Sequence, residues 1–246
     1  MTPNTDDSAP RPLPEDWQRV LAVVAHPDDL EFGTSSALAR WSRQGKDVVE
    51  LLVTKGEAGI DTLEPEECAP VRMAEQRASA AVVGASAVEF LDFPDGTLEY
   101  GLPLRRALAG AIRRHRPDVV VSINFREHFA GAPFFNHADH RVLGPALLDA
   151  VRDAANRWVF RDQLTDGLEP WQGVRFAGFG SAPGPTHYVE LSEEDLAAGV
   201  ASLDAHEVYM AALEGWDHRS FLPEAAAEAG RRAGVPLAAA FEVFDT

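Results

Sequence analysis

The sequence predicts an α/β protein with a doubly wound, mainly parallel sheet and an elaborated C-terminal part. Short apolar runs alternate with helical segments four times between residues 21 and 156, a pattern typical of βα units with right-handed crossovers. The runs are apolar throughout, as expected for strands that are covered on both faces. After Trp158 the pattern changes to strands bounded by Gly and Pro, followed by helices.

The four βα units follow from periodicity and from helix-end signals. Gly45 and Gly84 are suited to end helices in the left-handed conformation, and Pro70 suits the first turn of a helix. The predicted strands are 21–25, 48–53, 88–93 and 119–123, and the predicted helices are 31–44, 70–83, 103–116 and 140–156.

The C-terminal part is predicted to add two strands, a long helix and a short one. Ser192 and Asp195 resemble an N-cap with an acidic first turn. The predicted strands are 174–179 and 187–191, the helices are 193–213 and 223–233, and residues 237–244 are either a strand or a tail.

Composition limits the classes of function. The 246 residues are 46% hydrophobic and 25% charged, as expected for one globular domain. The formal net charge of −17 argues against general binding to nucleic acid or to anionic membranes. Cys68 is the only cysteine, so the chain has neither an internal disulfide nor a thiolate zinc site.

We expect residues 1–17 to be a disordered leader and residues 18–246 to form a single domain. The leader is polar, acidic and rich in proline, unlike a signal peptide. No apolar run approaches the length of a membrane span. A cytoplasmic location is therefore the expectation.

A histidine and two aspartates follow the first predicted strand. His26 and Asp29 are three positions apart, so a tight turn can aim both at one metal ion. Asp28 would then lie beside the metal and could take a proton from water whose pKa the metal lowers. Alternatively, one aspartate only caps the helix and His26 packs at the end of the strand.

A second polar cluster follows the fourth predicted strand. There His140 could supply a third metal ligand, His137 could protonate a leaving amine or stabilise an oxyanion, and Asp139 could orient one imidazole. For this cluster alone, a solvated histidine-rich turn is the better interpretation. Because both clusters follow the carboxyl ends of strands, we interpret them together as one metal site of a hydrolase.

Two motifs carry a family resemblance, Ala-His-Pro-Asp-Asp at 25–29 and His-Ala-Asp-His-Arg at 137–141. With them the sequence resembles the LmbE-like (PIG-L) superfamily of zinc-dependent N-deacetylases. The resemblance runs from about residue 20 to 155. Weaker matches within it are Thr54 to Gly59, Arg72 and Glu75, Phe93-Pro-Asp-Gly96, and Arg116-Pro-Asp-Val119.

The resemblance implies a Rossmann-like fold and hydrolysis of an N-acyl group, usually an acetyl group on a glucosamine-type amine. It makes His26, Asp29 and His140 the ligands of Zn²⁺, and Asp28 the general base. Fe²⁺ is an alternative metal, since sites with two histidines and one aspartate accept several divalent ions.

The resemblance also implies roles for four residues around the metal. It makes His137 the general acid or the oxyanion stabiliser, with support from Asp139. Arg72 and Asp95 fall where members of the family contact polar groups of the substrate. The alternatives for these last two are a salt bridge on a helix surface and a carboxylate in a turn.

The sequence departs from the family pattern at several places. Ala138 replaces a usual proline, and Gly33-Thr34-Ser35-Ser36 replaces a Gly-Gly-Thr turn. Of the usual C-terminal motif only His206 remains, and we interpret it as a packed or surface histidine. The long loop 124–136, with Phe134 and Phe135, is interpreted as a substrate-selecting element, with solvated loop charges as the alternative.

We therefore expect a zinc-dependent N-deacetylase that acts on an amino sugar or a related small-molecule amide. One alternative is an amidase that cleaves a larger conjugate, such as a thiol-sugar conjugate. Another is a non-catalytic Rossmann-like ligand-binding module, which the acidic first loop without Gly-x-Gly-x-x-Gly disfavours. The expected partner is a small N-acylated amine, and a homo-oligomer is compatible with the sequence.

Overall fold

Helices flank an eight-stranded, mostly parallel sheet in the part of the chain that the structure describes. The computed structural model describes residues 9–129, 134–213, 215 and 217–246. The strands are β1 Arg11–Pro12, β2 Arg19–Val24, β3 Asp47–Leu52, β4 Ala87–Phe90, β5 Val119–Ile123, β6 Phe176–Gly180, β7 His187–Glu190 and β8 Ala238–Asp245. The helices are α1 Ser35–Arg43, α2 Pro65–Val83, α3 Leu102–His115, α4 Ala138–Ala155, α5 Glu193–Asp204, α6 Glu207–Ala212 and α7 His218–Ala233. None of the helices in these ranges is long and apolar enough to cross a membrane.

The strand order creates a switch point between β2 and β5. The order is β1-β7-β8-β6-β5-β2-β3-β4, and β8 is antiparallel to both of its neighbours while the other pairs are parallel. From β2 the chain first builds outward to β3 and β4, and it then continues on the other side with β5 and β6. Open α/β sheets bind ligands beyond the carboxyl ends of strands at such a reversal.

The two faces of β2 belong to two different hydrophobic clusters. Its even-numbered residues pack with Trp41 and Phe241, whereas its odd-numbered residues pack with Leu108 and Leu147. All of these side chains are buried. Because successive side chains of a strand point to opposite faces, both faces must be apolar, which explains the uninterrupted apolar run of this strand.

The helix that follows β3 is longer than expected. It begins at Pro65 instead of Pro70, because Pro65 fits the start of a helix and Glu66 and Glu67 place negative charge in the first turn. The chain continues as a helix through Pro70 and ends at Gly84, which has a φ of 77°. The five additional residues, 65–69, thus belong to α2 and precede the predicted start of the helix.

The predicted long helix over 193–213 is wrong in one respect, because the chain breaks after Ala205. Its first part is α5, with the expected Ser192 cap and reciprocal hydrogen bonds to Asp195. At the break, His206 has a ψ of 56° and its side chain is fully buried. Burial of this histidine interrupts a segment whose local pattern is helical throughout. Residues 237–244, predicted as strand or tail, fall almost wholly within strand β8.

The prediction of a disordered leader is wrong for residues 11–17. Residues 11 and 12 pair with β7, and Leu13 and Trp17 are buried. The Glu15 carboxylate accepts hydrogen bonds from Arg40 and Trp41 of α1. These two apolar side chains and one carboxylate anchor the segment despite its polar composition. Residues 1–8 lie outside the described residues.

Strand β3 carries a buried carboxyl group. Glu50 is 1% exposed, and Gln76 donates to it from Nε2 at 3.0 Å and to the buried Glu31 at 3.1 Å. Burial, reinforced by the negative charge of Glu31, raises the pKa of Glu50 to about 8. Glu50 is therefore protonated in the folded protein at neutral pH.

We expect Glu50 to make the folded protein less stable as the pH rises from 5 to 8. The folded state keeps the Glu50 proton up to a pKa of about 8, whereas an ordinary glutamate releases it near 4.5. The unfolded state thus binds fewer protons in this window, so the free energy of unfolding falls with pH. Glu50→Gln should remove this loss, which is on the order of a few kcal/mol.

Urea unfolding at pH 5, 6.5 and 8 measures the effect. The difference between Glu50→Gln and wild type should grow in favour of the variant as the pH increases. Glu66→Gln, at an exposed position on α2, is the matched control and should follow wild type. Parallel pH profiles of wild type and Glu50→Gln would contradict the prediction.

Candidate functional site

The carboxyl ends of β2 and β5 bring the two polar sequence clusters together. Residues 27–34 form turns after β2. Helix α4 has His137 as its N-cap, so Asp139 and His140 lie in its first turn. Asp95 comes from the turn after β4, and α2 supplies Arg72. Both sequence clusters therefore contribute to one site at the switch point of the sheet.

Three of the predicted ligand residues converge at the centre of this site. His140 Nε2 lies 2.8 Å from Asp29 Oδ1 and 3.2 Å from His26 Nδ1. Asp29 Oδ2 is 3.5 Å from His26 Nδ1 and accepts a hydrogen bond of 2.8 Å from the backbone N–H of His26. The spacing of three residues between His26 and Asp29 thus does aim both side chains at one point.

Two carboxylates contact the other ring nitrogen of His26. His26 Nε2 lies 3.0 Å from Asp95 Oδ1 and 3.2 Å from Asp139 Oδ2. Backbone N–H groups hold both carboxylates in place, from Ala58 for Asp95 and from Gly96 and Leu98 for Asp139. Carboxylates only accept hydrogen bonds, so Nε2 carries the proton and the neutral ring has its lone pair on Nδ1.

The donor set fits a divalent cation. His140 Nδ1 lies 2.9 Å from the side-chain oxygen of Asn136, so its proton belongs on Nδ1 and its lone pair on Nε2. With His26 in the tautomer described above, two imidazole lone pairs and the Asp29 carboxylate face one another. Such an arrangement needs a positive charge between them, and a cation bound by two histidines and one carboxylate supplies it.

Two further sets of three side chains in the described residues have ligand atoms within 4.8 Å of one another. One set is His26, His137 and His140, and the other is His26, Asp95 and Asp139. We interpret the second set as hydrogen bonding to His26 Nε2, because its two carboxylate oxygens lie 3.0 and 3.2 Å from that nitrogen, within hydrogen-bond distance. The first set shows that His137 borders the same site.

Asp28 lies beside the triad in an unusual backbone conformation. Its φ is 102°, and its N–H donates to Gln76 Oε1 at 3.0 Å. Its buried carboxylate accepts a hydrogen bond of 2.8 Å from Arg72 Nη2. Burial and the charge of Asp29 raise the pKa of Asp28 to about 6, although Arg72 opposes the shift. A carboxyl group with such a pKa is suited to proton transfer near neutral pH.

Arg72 and Asp95 do not face solvent as substrate-binding groups would. Arg72 is 1% exposed; its guanidinium binds Asp28 and the carbonyl oxygen of Pro27 and stacks on the Tyr209 ring at 3.6 Å. The Asp95 side chain is 6% exposed and contacts His26. Both side chains thus contact the reactive residues: the Arg72 cation pairs with the Asp28 carboxylate, and the Asp95 carboxylate contacts the His26 ring.

His137 is exposed and stacks on His140, with ring centroids 4.9 Å apart. Neighbouring protein atoms nevertheless surround part of the ring, and this partial burial, together with the nearby His140 and His26, lowers the pKa of His137. A protonated His137 at rest is therefore disfavoured. The expectation that Asp139 supports His137 also changes, since the side-chain contact of Asp139 goes to His26.

Burial disfavours the charged form of Asp29 and by itself would raise its pKa. The neighbouring His140 and His26 outweigh this effect and hold the pKa of this carboxyl group well below its usual value. Asp29 is therefore ionised at neutral pH, as a metal ligand requires. In the same way, burial opposes protonation of His26, but the charge of Asp29 and the contacts with Asp139 and Asp95 raise its pKa. Metal binding must consequently displace a proton from His26.

His206 is a packed histidine, as the sequence interpretation had it. It is fully buried, and its Nε2 lies 3.4 Å from Glu31 Oε1, although the geometry is not that of a hydrogen bond. Burial disfavours its charged form, but Glu31 and Asp28 raise its pKa. The interaction of His206 with Asp28 is therefore electrostatic.

Three residues near the site were missed by the sequence analysis. Gln76 binds the Asp28 N–H, Asn136 binds His140, and Tyr209 stacks on Arg72. Gln76 lies four positions after Arg72 on a helix, so the spacing could have indicated a shared face. Asn136 directly precedes the second motif. Nothing in the local sequence marks Tyr209, which reaches the site through the break after α5.

The loop that precedes α4 is partly described. Asn124 Nδ2 donates to the His128 carbonyl at 2.9 Å, and the Phe129 N–H donates to the Phe134 carbonyl at 3.2 Å. Phe134 and Phe135 are 69% and 57% exposed. The predicted substrate-selecting element thus presents two aromatic rings to solvent, and a third, Phe129, lies 5.7 Å from the ring of His137. Residues 130–133 lie outside the described residues.

Comparison with known proteins agrees with this geometry. A family profile described as PIG-L: GlcNAc-PI de-N-acetylase matches residues 21–151. Diacetylchitobiose deacetylase of Thermococcus kodakarensis is 31% identical over 180 residues, which are 72% of this chain and 65% of that protein. The 1D-myo-inositol 2-acetamido-2-deoxy-alpha-D-glucopyranoside deacetylase of Kineococcus radiotolerans is 30% identical over 63% of this chain and 50% of its own length. The chain thus matches less than two thirds of either relative.

A solved structure has the same fold. N,N'-diacetylchitobiose deacetylase from Pyrococcus horikoshii, in complex with an inhibitor, superposes with a TM-score of 0.83. The match covers 94% of this chain and 85% of that one at 24% identity, so the likeness concerns the fold.

We expect Arg72→Met to destabilise the protein by about 3 kcal/mol, because it leaves the buried Asp28 carboxylate without its cationic partner. Arg77→Met is the matched control: Arg77 is exposed on the same helix, so its loss should change the free energy of unfolding by less than about 0.5 kcal/mol. Urea unfolding at pH 7 measures both. Equal stability of the two variants would show that the Arg72–Asp28 contact is not a structural ion pair.

Proposed function

This chain belongs to the PIG-L family of GlcNAc-PI de-N-acetylases, and we therefore propose that it is a metal-dependent hydrolase. The reaction is removal of an N-acetyl or other N-acyl group from an amino sugar or a related small amide. The two relatives compared above are named as deacetylases, one of diacetylchitobiose and one of an acetamido-deoxy-glucopyranoside. These names support the substrate class.

One observation carries the proposal. A carboxyl group with a raised pKa, Asp28, directly adjoins a convergent set of two imidazoles and one carboxylate. The site lies at the switch point of the sheet, and this location supports a Rossmann-like, doubly wound arrangement as part of the proposal. A ligand-binding module without catalysis would not require a base beside the cation site.

The proposed metal is Zn²⁺, held by His26 Nδ1, Asp29 and His140 Nε2, with Fe²⁺ as the alternative. When bound, a cation of this kind polarises an acyl carbonyl group and lowers the pKa of a water molecule. The carboxylates of Asp95 and Asp139 orient His26 from behind. Arg72 acts through Asp28, and we no longer assign it or Asp95 to direct substrate contact.

Asp28 is the proposed general base. Arg72 Nη2 fixes its Oδ1, and its carboxylate accepts the proton of the water that attacks the acyl carbon. His137, neutral at rest, donates its single ring N–H to the carbonyl oxygen as negative charge develops there. The proton on Asp28 then passes to the leaving nitrogen, so that a free amine and a carboxylate depart.

The exposed loop aromatics are the proposed substrate-selecting surface. Phe135 is held between the guanidinium of Arg141, 4.3 Å from its ring centroid, and the edge of His128. Its exposed surface is apolar, and Phe129 of the same loop lies beside His137, with ring centroids 5.7 Å apart. Sugar rings and apolar groups attached to them both fit such a surface.

The zinc-loaded protein should release acetate from N-acetylated amino sugars, which measurement of acetate across a panel of such compounds would detect. Conjugates with larger acyl groups belong in the same panel. Release of a larger acid, with no acetate from any compound, would favour the alternative amidase. No released acid from any compound would contradict the proposed function.

We expect Asp28→Asn to lower kcat by about 10² to 10⁴, the contribution typical of a positioned base. Asparagine tolerates the positive φ of this position better than most residues, so the fold should persist. Zinc content should stay at the wild-type value. Near-normal turnover of this variant would refute the assignment of the base.

His140→Ala should lose zinc, because it removes one of three ligands. His128→Ala is the control, since this exposed histidine lies on the neighbouring loop but outside the triad. Metal content after dialysis, measured by elemental analysis, should fall only in the first variant. Unchanged zinc in His140→Ala would exclude the proposed ligand set.

A further inference from the structure

Asn136 joins the loop before α4 to the ring of His140. Its side chain is buried, with 2% of the residue exposed, and makes four hydrogen bonds. Nδ2 donates to the carbonyl oxygens of Asn124 at 2.8 Å and Arg126 at 2.9 Å. Oδ1 accepts from the His137 N–H at 2.8 Å and faces His140 Nδ1 at 2.9 Å.

These contacts leave only one orientation of the amide group. Two carbonyl oxygens can only accept, so the NH₂ group must face the loop. A backbone N–H can only donate, so the amide oxygen must face His137 and, with it, His140. The oxygen therefore accepts the Nδ1 proton of His140, so Nε2, which lies 2.8 Å from Asp29 Oδ1, is the ring nitrogen left to bind a cation.

We propose that Asn136 is a positioning residue: it holds a proton on His140 Nδ1, so that Nε2 is the nitrogen that binds the cation, and it couples this ring to residues 124–126 of the preceding loop. The proposal rests on the metal site of the proposed function. An amide turned around, or absent, no longer selects which nitrogen of His140 carries the proton. The ring then loses the acceptor that orients it, and Nε2 is no longer held in place for a cation beside Asp29.

The chain offers a matched control in Asn124. Asn124 is also buried and also anchors the loop, because its Nδ2 donates to the His128 carbonyl and its Oδ1 accepts from the Arg126 N–H at 2.8 Å. Its side chain makes these two contacts without touching a histidine ring. Loss of Asn124 therefore loosens the loop alone, whereas loss of Asn136 loosens the loop and frees His140.

The first measurement uses the zinc-loaded wild-type protein. Two-bond ¹H–¹⁵N correlation spectra of ¹⁵N-histidine-labelled protein show which ring nitrogen carries the proton, and His140 should carry it on Nδ1 with Nε2 bound to the metal. Its signals are assigned by comparison with His140→Gln. Zinc bound through Nδ1 of His140, with the proton on Nε2, would overturn the proposal, whatever the variants do.

The second measurement is the affinity for Zn²⁺, from competition with a chromophoric chelator. Asn136→Ala should weaken zinc binding by about tenfold to a hundredfold, the range typical of groups that orient a ligand histidine. Asn136→Asp keeps an acceptor toward His140 and should bind zinc within about threefold of wild type, although it loses both loop bonds. Asn124→Ala should also stay within about threefold.

The variants distinguish a role of Asn136 at His140 from a role in the loop alone. Equal losses in Asn124→Ala and Asn136→Ala would show that Asn136 acts only through the loop, and wild-type affinity of a folded Asn136→Ala would refute the positioning role. If Asn136→Ala does not fold, Asn136→Asp and the wild-type tautomer still decide. Wild type that binds zinc but releases no acid would overturn the proposed function and leave this inference intact.

Discussion

The rest of the structure depends on an electrostatic constraint at the edge of the sheet. A carboxylate, that of Asp29, faces two imidazole nitrogens, those of His26 and His140, which carry lone pairs in the neutral rings. Left alone, these three groups repel one another. Each ring is held in this orientation by acceptors on its far side, two carboxylates for His26 and one amide for His140. The protein therefore keeps these nitrogens directed at Asp29 before any cation arrives, and a bound cation would take the place of the proton on His26.

A buried polar layer supports this arrangement from below. Arg72 and Gln76, one turn apart on α2, hold the side chain and the backbone of Asp28. The Gln76 side chain also donates to Glu31 and Glu50, so the polar layer extends from Asp28 to Glu50 on strand β3. Because unpaired buried polar groups are costly, such a network is stable only when its members are jointly satisfied. Its charges also explain why the raised pKa of Asp28 stays moderate.

The sequence was sufficient where local signals and chemistry coincide. Strand β5 was predicted at its observed bounds, and the residues of both motifs meet because each follows the carboxyl end of a parallel strand. The path of the chain after α5 was not predictable, since the burial of His206 is a tertiary effect. Roles that depend on direction were also beyond the sequence. The resemblance assigned Arg72 to substrate contact, and only the structure shows that its buried guanidinium binds Asp28.

The protonation state of His137 shows the same limit. Residue type and spacing indicated a group able to donate a proton, whereas burial of the His137 ring, together with the neighbouring His140 and His26, lowers its pKa and disfavours that proton at rest. Similarly, the polar composition of residues 11–17 indicated disorder, and two apolar side chains outweighed it. In each case a contact with a distant segment reversed a preference that the local sequence expresses.

Strand β8 has a consequence for the order in which the sheet assembles during synthesis. It lies between β6 and β7, although its residues follow those of both strands in the chain. Strands β6, β5, β2, β3 and β4 can pair as soon as they leave the ribosome, and they include both strands that carry the site. Strands β1 and β7 have no neighbour in this group until residues 238–245 appear. A ribosome-bound chain that lacks β8 therefore holds an almost complete site next to an open sheet edge, which is the stage most exposed to aggregation.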